Sequence, residues 1–382
     1  MKSVILTGAA GFVGKNMTKE FLSQGYHVVA LDVNSDELKK LEALEGSLEL
    51  IQIDMLKENL IPLFETVVNE SEEAYMCNIA GLFKFDAPVM PLFLINTRLT
   101  KNVLCAAHQV GGWKHIIHFS TVGTYGTPAK NRNTSCYLDL EPYKECDPQI
   151  PDNTYGVSKF MGEKCAWRYY ERGLPLTVVR PSLIYGPENR YGMGLFFQLA
   201  SFCRNLLKGP LKYVILLPLA LPCRGGTFAH FIHVDDISRA CAHIFTKSEA
   251  IGEAYTLGDD NPLNTVAFFN LMLHCERIKF NWLLVPLSRF LIKNYDKVFN
   301  KFVTKLLEKL LTFLFKIYGW HMEYRPEEIP LEISKDWIGY FQSNYIWDIS
   351  KLKALGFKHK YPSLREGVIE NVIWYKRHRW LP

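Results

Sequence analysis

The chain has little charge of one sign. Its 44 Lys and Arg against 39 Asp and Glu leave a net +5 over 382 residues, and both signs are mixed through most of the sequence, which excludes an extended basic surface for nucleic acid. Paired cysteines are lacking too. The nine cysteines stand singly, with no CxxC and an odd total, so neither a disulfide framework nor a zinc site is expected, and no metal. They fit a reducing, cytoplasmic setting as small packing residues. No apolar run approaches the roughly 20 residues of a membrane-spanning helix. Because the first residues run straight into a strand and a glycine loop, no secretory leader is expected either. Repeats and low-complexity segments are absent. What is present, 48% hydrophobic content in 382 residues, suffices for one large core and a second unit beside it.

The stretch SVILTGAAGFVGKNMTKEFLSQGYHVVALDVN, residues 3 to 34, reads as strand, glycine turn, helix and strand. The unit recurs. Further strands are expected in LELIQID from 48, AYMCNIAG from 74, HIIHFST from 115 and LTVVRPS from 176, with helical stretches between them. Such alternation predicts an α/β fold: a doubly wound parallel sheet of the Rossmann type with a smaller, mainly helical C-terminal substrate domain. The expected division gives 1–185 and about 228–260 to the dinucleotide domain, and 186–227 and 261–382 to the substrate domain. Within the latter, PLKYVILLPLALP at 210 to 222 is apolar but broken by Pro210, Pro218 and Pro222, which fits the wall of a greasy cavity better than a helix.

Gly8, Gly11 and Gly14, with Phe12 and Val13 between the last two, stand where a strand hands over to a helix. The first glycine allows the tight turn, the second admits a pyrophosphate to the backbone, and the third lets helix and sheet pack. Free N–H groups at the helix start then face phosphate charge. Asp32 closes the second strand about 20 residues on, where a carboxylate accepts from a ribose 2′-hydroxyl and repels a 2′-phosphate. No Arg follows it closely, which favours NAD over NADP; the alternative is an aspartate that merely starts a turn.

In NTYGVSK, residues 153 to 159, Tyr155 and Lys159 stand at i and i+4. On a helix they share a face, so an ammonium beside the phenol is expected to lower its pKa from near 10 toward neutrality, for acid/base work. Alone, this pair recurs often on solvated helices. Ser120 and Thr121 add hydroxyls at the carboxyl end of a strand, where ligands of this architecture bind; capping their own turn is the plainer alternative.

Taken together, Gly8/Gly11/Gly14, Asp32, NIAG at 78 to 81, Asn96, STVGTYG at 120 to 126, Tyr155/Lys159, RPSLIYGP at 180 to 187 and FIHVDD at 231 to 236 resemble the extended short-chain dehydrogenase/reductase family in order and spacing. The match covers roughly the first 260 residues. The resemblance implies Tyr155 as proton donor or acceptor, Lys159 on the nicotinamide ribose, and Thr121, four residues before the Tyr of TYG, orienting the substrate oxygen. It also implies Asp54 and Met55 beside adenine, Ala80 and Gly81 beside the phosphates, and Pro181 to Ile184 beside nicotinamide, with Asn96 in the cofactor set. A homodimer through helices flanking the Tyr–Lys element is implied as well. His230 and His233 are expected within the sheet edge rather than in catalysis.

Nucleotide-sugar branches of that family usually carry an Arg-bearing RDF before the VHVDD element; here the segment reads GGTFAHFIHVDD, with Ala229 and His230. The chain thus resembles the 3β-hydroxysteroid and sterol dehydrogenase branch more closely. The implied function is NAD-dependent interconversion of a secondary alcohol and ketone on a bulky hydrophobic small molecule. The alternative is a nucleotide-sugar epimerase or dehydratase with tightly bound NAD, which Arg224 keeps open. A non-catalytic, cofactor-sensing protein would not need Thr121, Tyr155 and Lys159 together.

Between Arg289 and Lys316, seven Lys or Arg face only Asp296 and Glu308, an excess equal to the whole net charge of +5. Apolar residues fall between them at helical spacing, so 287–318 reads as a basic amphipathic segment. Two outcomes stay open: a solvated helix covering the substrate domain, or peripheral contact with the cytoplasmic face of a membrane.

Overall fold

A computed structural model describes residues 1–83, 87–128, 139–206, 227–275, 301–325, 328–329 and 343–381. The expected elements of the first unit appear in order: β1 (Lys2–Thr7), α1 (Phe12–Ser23), β2 (His27–Asp32), α2 (Ser35–Lys39), β3 (Leu48–Gln52), α3 (Ile61–Glu70) and β4 (Glu73–Asn78). There follow α4 (Val89–Phe93), a π-helical turn (Leu94–Leu99), α5 (Thr100–Val110), β5 (Trp113–Phe119), α6 (Thr154–Tyr170), β6 (Leu176–Pro181) and β7 (Leu183–Tyr185). The second part holds α7 (Met193–Leu206), β8 (Phe228–Ala229), β9 (Phe231–His233), α8 (Val234–Phe245), β10 (Ala254–Leu257), β11 (Leu263–Asn264) and α9 (Thr265–Cys275). The chain then forms α10 (Lys301–Met322), α11 (Ser350–Ala354) and α12 (Leu364–Arg377).

Seven strands form one sheet in the order β10-β6-β5-β4-β1-β2-β3, with every pair parallel. The alternation along β1 shows why both faces are covered. Val4 and Leu6 join Met17 and Phe21 of α1 and Ile237, Cys241 and Ile244 of α8, while Ile5 turns to Phe64 of α3, Val103 and Leu104 of α5, and Ala166 of α6. A strand buried on both faces is apolar without a break, which is the pattern read in VILT. The chain leaves β1 toward β2 on one side and β4 on the other, and ligands of such sheets bind at the carboxyl ends beside that reversal.

A third core joins Tyr185, Phe197, Phe231, Phe268, Leu364, Val368 and Tyr375, and two short ladders, β11 with β8 and β7 with β9, lead into it. The expected boundary at 261 differs in one respect. Leu352 and Phe357 pack into the first core and α11 lies against β10, so residues 350–357 return to the sheet unit after the helical part. The proposed cavity wall at 210–222, Arg224, and residues 287–300 of the basic segment lie outside the described residues.

Candidate active site

Gly8 begins the phosphate-type loop at φ +70, and a Cβ on it would lie 2.8 Å from the Ala80 Cα. The two loops at the ends of β1 and β4 therefore touch, backbone to backbone. Thr7 fixes that approach: its Oγ1 accepts from Ile79 N and Ala80 N, at 3.0 and 3.1 Å, and donates to Asn78 Oδ1. A Cβ on Gly14 would stand 2.2 Å from the Gly8 carbonyl oxygen, so α1 can begin this close to the strand end only with glycine there. The Asp32 carboxylate closes the loop from the other side, accepting from Ala10 N and Asn34 N, both at 3.0 Å. This cradle, with the start of α1 aimed across it, fits the pyrophosphate and ribose of a dinucleotide.

α6 starts where the sequence provides a cap. Asn153 Oδ1 accepts from Gly156 N at 2.8 Å, and a Cβ on Gly156 would lie 2.7 Å from the Gly123 carbonyl oxygen, so the helix start presses against the STVGTYG turn. Tyr155 there is 9% exposed. Its phenol is pushed up by burial, with a hydrogen bond to the Thr121 side chain opposing. The net direction is opposite to the expected lowering by the neighbouring ammonium, because desolvation dominates. Lys159 is itself deeply buried, its Nζ donates to the Phe119 carbonyl at 2.5 Å, and burial pushes it down to about 8, with Glu163 opposing.

The two hydroxyls of the strand end part company. Thr121 faces Tyr155 and accepts from Gly123 N, whereas Ser120 Oγ donates to Glu163 Oε2 at 2.5 Å. Glu163, wholly buried, is the hub of a polar network that sequence reading missed. It also accepts from Arg180 Nη2 and Nε, Gln149 Nε2 and Trp167 Nε1. Arg180 Nη1 in turn donates to Tyr125 Oη and the Glu145 carbonyl. The pair thereby ties α6, β6 and the STVGTYG turn together behind Thr121. A signal was present: Tyr155, Lys159 and Glu163 step by four along one helix, and Arg180 directly precedes Pro181.

Asn96, expected in the cofactor set, is fully buried and held by protein. Its Oδ1 accepts from Leu82 N while its Nδ2 donates to Leu82 O and Ser158 Oγ, so it pins the loop after Gly81 to α6. The π turn brings it there, and a Cβ on Gly162 would meet the Asn96 carbonyl at 2.3 Å. Asp54 bonds Leu56 N and Lys57, and Met55 is buried in the core below α3. Pro181 ends β6 and Ile184 lies on β7, which pairs with β9. His230 Nδ1 accepts from Trp347 N, and His233 Nδ1 accepts from Asp235 N at the start of α8. Phe83 stands edge-on to Tyr155 at 5.1 Å and to Tyr191 at 5.9 Å, an aromatic front that was not foreseen.

A dinucleotide cradle beside a phenol, an ammonium and a hydroxyl at the carboxyl edge of this sheet defines an NAD-dependent enzyme acting on CH–OH groups. The family model for the NAD dependent epimerase/dehydratase family matches residues 4–258. The chain belongs to that family. Cinnamoyl-CoA reductase 1 of Oryza sativa subsp. japonica is 28% identical over 272 residues, covering 67% of this chain and 71% of that protein. UDP-glucuronate 4-epimerase 4 of Arabidopsis thaliana is 25% identical over 351 residues, covering 84% of this chain and 76% of its own. Among solved structures, dTDP-glucose 4,6-dehydratase from Bacillus anthracis in complex with NAD superposes with a TM-score of 0.67 at 19% identity, over 100% of this chain and 99% of that one, which supports the same fold.

Proposed function

We propose that the chain acts on a nucleoside-diphosphate sugar, oxidising a ring CH–OH with retained NAD and returning an epimerised or dehydrated product. The observation that carries this reading is the reach of the likeness to UDP-glucuronate 4-epimerase 4: it spans 84% of the chain, well past the family match ending at residue 258 and into the part expected from the sequence to bind substrate. NAD, when bound, accepts and returns the electron pair and hydrogen of the alcohol carbon. Gly8, Gly11 and the start of α1 would hold its phosphates, and Asp32 its adenosine ribose.

The chain's own residues manage the oxygen and the proton. Tyr155 exchanges the hydroxyl proton of the substrate; its phenol, raised by burial, serves as the acid when a ketone is reduced and, once deprotonated, as the base when the alcohol is oxidised. Thr121 holds the oxygen in line with the phenol. Lys159, its Nζ held on the Phe119 carbonyl, sets a buried cation one helical turn from the phenol, where it would hold the nicotinamide ribose. Phe83, packed edge-on between Tyr155 and Tyr191, sets an apolar ring beside the reacting group.

A second reading has its own observation. Ala229 stands where nucleotide-sugar relatives of the resembled family carry Arg, the neighbouring His230 is committed to Trp347 N, and the front of Tyr155 is aromatic. These favour a bulky hydrophobic alcohol, such as a 3β-hydroxysteroid or sterol. One experiment separates the two: purified protein is incubated with UDP-glucose, UDP-glucuronate and dTDP-glucose without added NAD, and with hydroxysteroids plus NAD. Conversion of a sugar nucleotide without net NADH supports the first reading; NADH formed one-for-one with steroid ketone refutes it in favour of the second.

A further inference from the structure

The helix Lys301–Met322 carries an exposed apolar row longer than any other among the described residues. Leu306, Leu310, Phe313, Ile317 and Trp320 are 57, 51, 61, 51 and 86% exposed. Spaced by four, three, four and three residues, they fall within an arc of about 80° along about 21 Å of helix. The opposite side turns inward, with Phe315 buried against Tyr324 and Leu199. This row is therefore a second face and not the edge of the core contact.

Charge is placed on one flank of it. Lys305, Lys309 and Lys316 lie in the adjoining arc, within about 40° of one another, and Lys305, Lys309 and Lys316 are all exposed. Glu308 lies beyond them, partly buried. Among the described residues no helix is long and apolar enough to cross a membrane, so burial of this row in lipid requires the helix to lie in the plane of the interface. Apolar side chains pointing into the acyl boundary, with lysine stems reaching up to headgroup phosphates, match that position.

We propose that Lys301–Met322 docks the protein on an anionic lipid surface through Leu306, Leu310, Phe313, Ile317 and Trp320, with Lys305, Lys309 and Lys316 against the headgroups. The inference rests on this helix alone and is independent of the substrate assigned above. A membrane supplies both an apolar layer and a negative surface, whereas a second copy paired antiparallel through this row would set lysines beside lysines.

Vesicles of phosphatidylcholine with and without phosphatidylserine test it with the full chain. Lysines at an anionic surface contribute about fivefold each, so replacing Lys305, Lys309 and Lys316 together by Gln is expected to weaken binding to the anionic vesicles about a hundredfold. Phe313→Ser with Ile317→Ser should weaken it at least tenfold. Quenching of tryptophan emission by brominated lipid, present in the parent, should fall in Trp320→Phe. Unchanged melting and NAD affinity establish that the variants are folded. Equal vesicle binding by parent and both multiple variants would overturn the proposal. So would a vesicle-free dimer that Phe313→Ser with Ile317→Ser dissolves, since it would make the row an interface between copies.

Discussion

Replacing Glu163 by Gln tests whether the buried network behind Thr121 holds the site. The carboxylate accepts from Ser120, Gln149, Trp167 and two nitrogens of Arg180, and both members of the ion pair are 5% exposed or less. Gln keeps the shape but removes the charge, leaving the Arg180 guanidinium buried without its counter-ion. Breaking a buried pair in this way costs about 3–5 kcal/mol, a large fraction of the roughly 5–15 kcal/mol that holds a typical fold. Denaturant unfolding of the parent, Glu163→Gln, Arg180→Met and the double variant measures it. The double variant removes both charges, so it should recover most of the loss seen in Glu163→Gln, giving a coupling of at least about 2 kcal/mol. Each single variant should also lower turnover more than NAD affinity, because Ser120 and Arg180 flank Thr121 and Pro181. Additive single losses, or a Glu163→Gln protein as stable as the parent, would refute the assigned role.

Two further outcomes follow from the site. Lys159, lowered to about 8 by burial, loses its proton as pH rises through that value, so NAD affinity measured by calorimetry should be constant below it and fall above it. Lys159→Arg should abolish that limb, and a flat parent profile would contradict the charge's role. Gly14→Ala introduces a Cβ 2.2 Å from the Gly8 carbonyl oxygen; it should cost about 1–3 kcal/mol of stability and weaken NAD binding at least tenfold, as read by melting with and without NAD.

Much of the sheet unit was legible because its strands are buried on both faces. VILT, HVVALD and LTVVRP are apolar over most of their length, and strands form in all three. Tyr155, Lys159 and Thr121 were legible because helix spacing and a strand end place them together. The coupling between them was not. The expected pull of Lys159 on the phenol gives way to desolvation, a quantity set by how many distant segments close over α6. Asn96 shows the same limit: its contacts with Leu82 and Ser158 depend on a π turn that no local pattern announces. The return of Leu352 and Phe357 to the first core is likewise tertiary, since an apolar residue in a short helix carries no address.

The most direct measurement compares Tyr155→Phe with the parent on whichever sugar nucleotide or hydroxysteroid the parent converts, alongside NAD affinity by calorimetry. Phe preserves the ring against Phe83 and deletes the hydroxyl that carries the exchangeable proton and bonds Thr121. Turnover should fall by roughly 10²–10⁴ while NAD affinity stays within about threefold of the parent value. Undiminished turnover by the Phe variant would contradict the account.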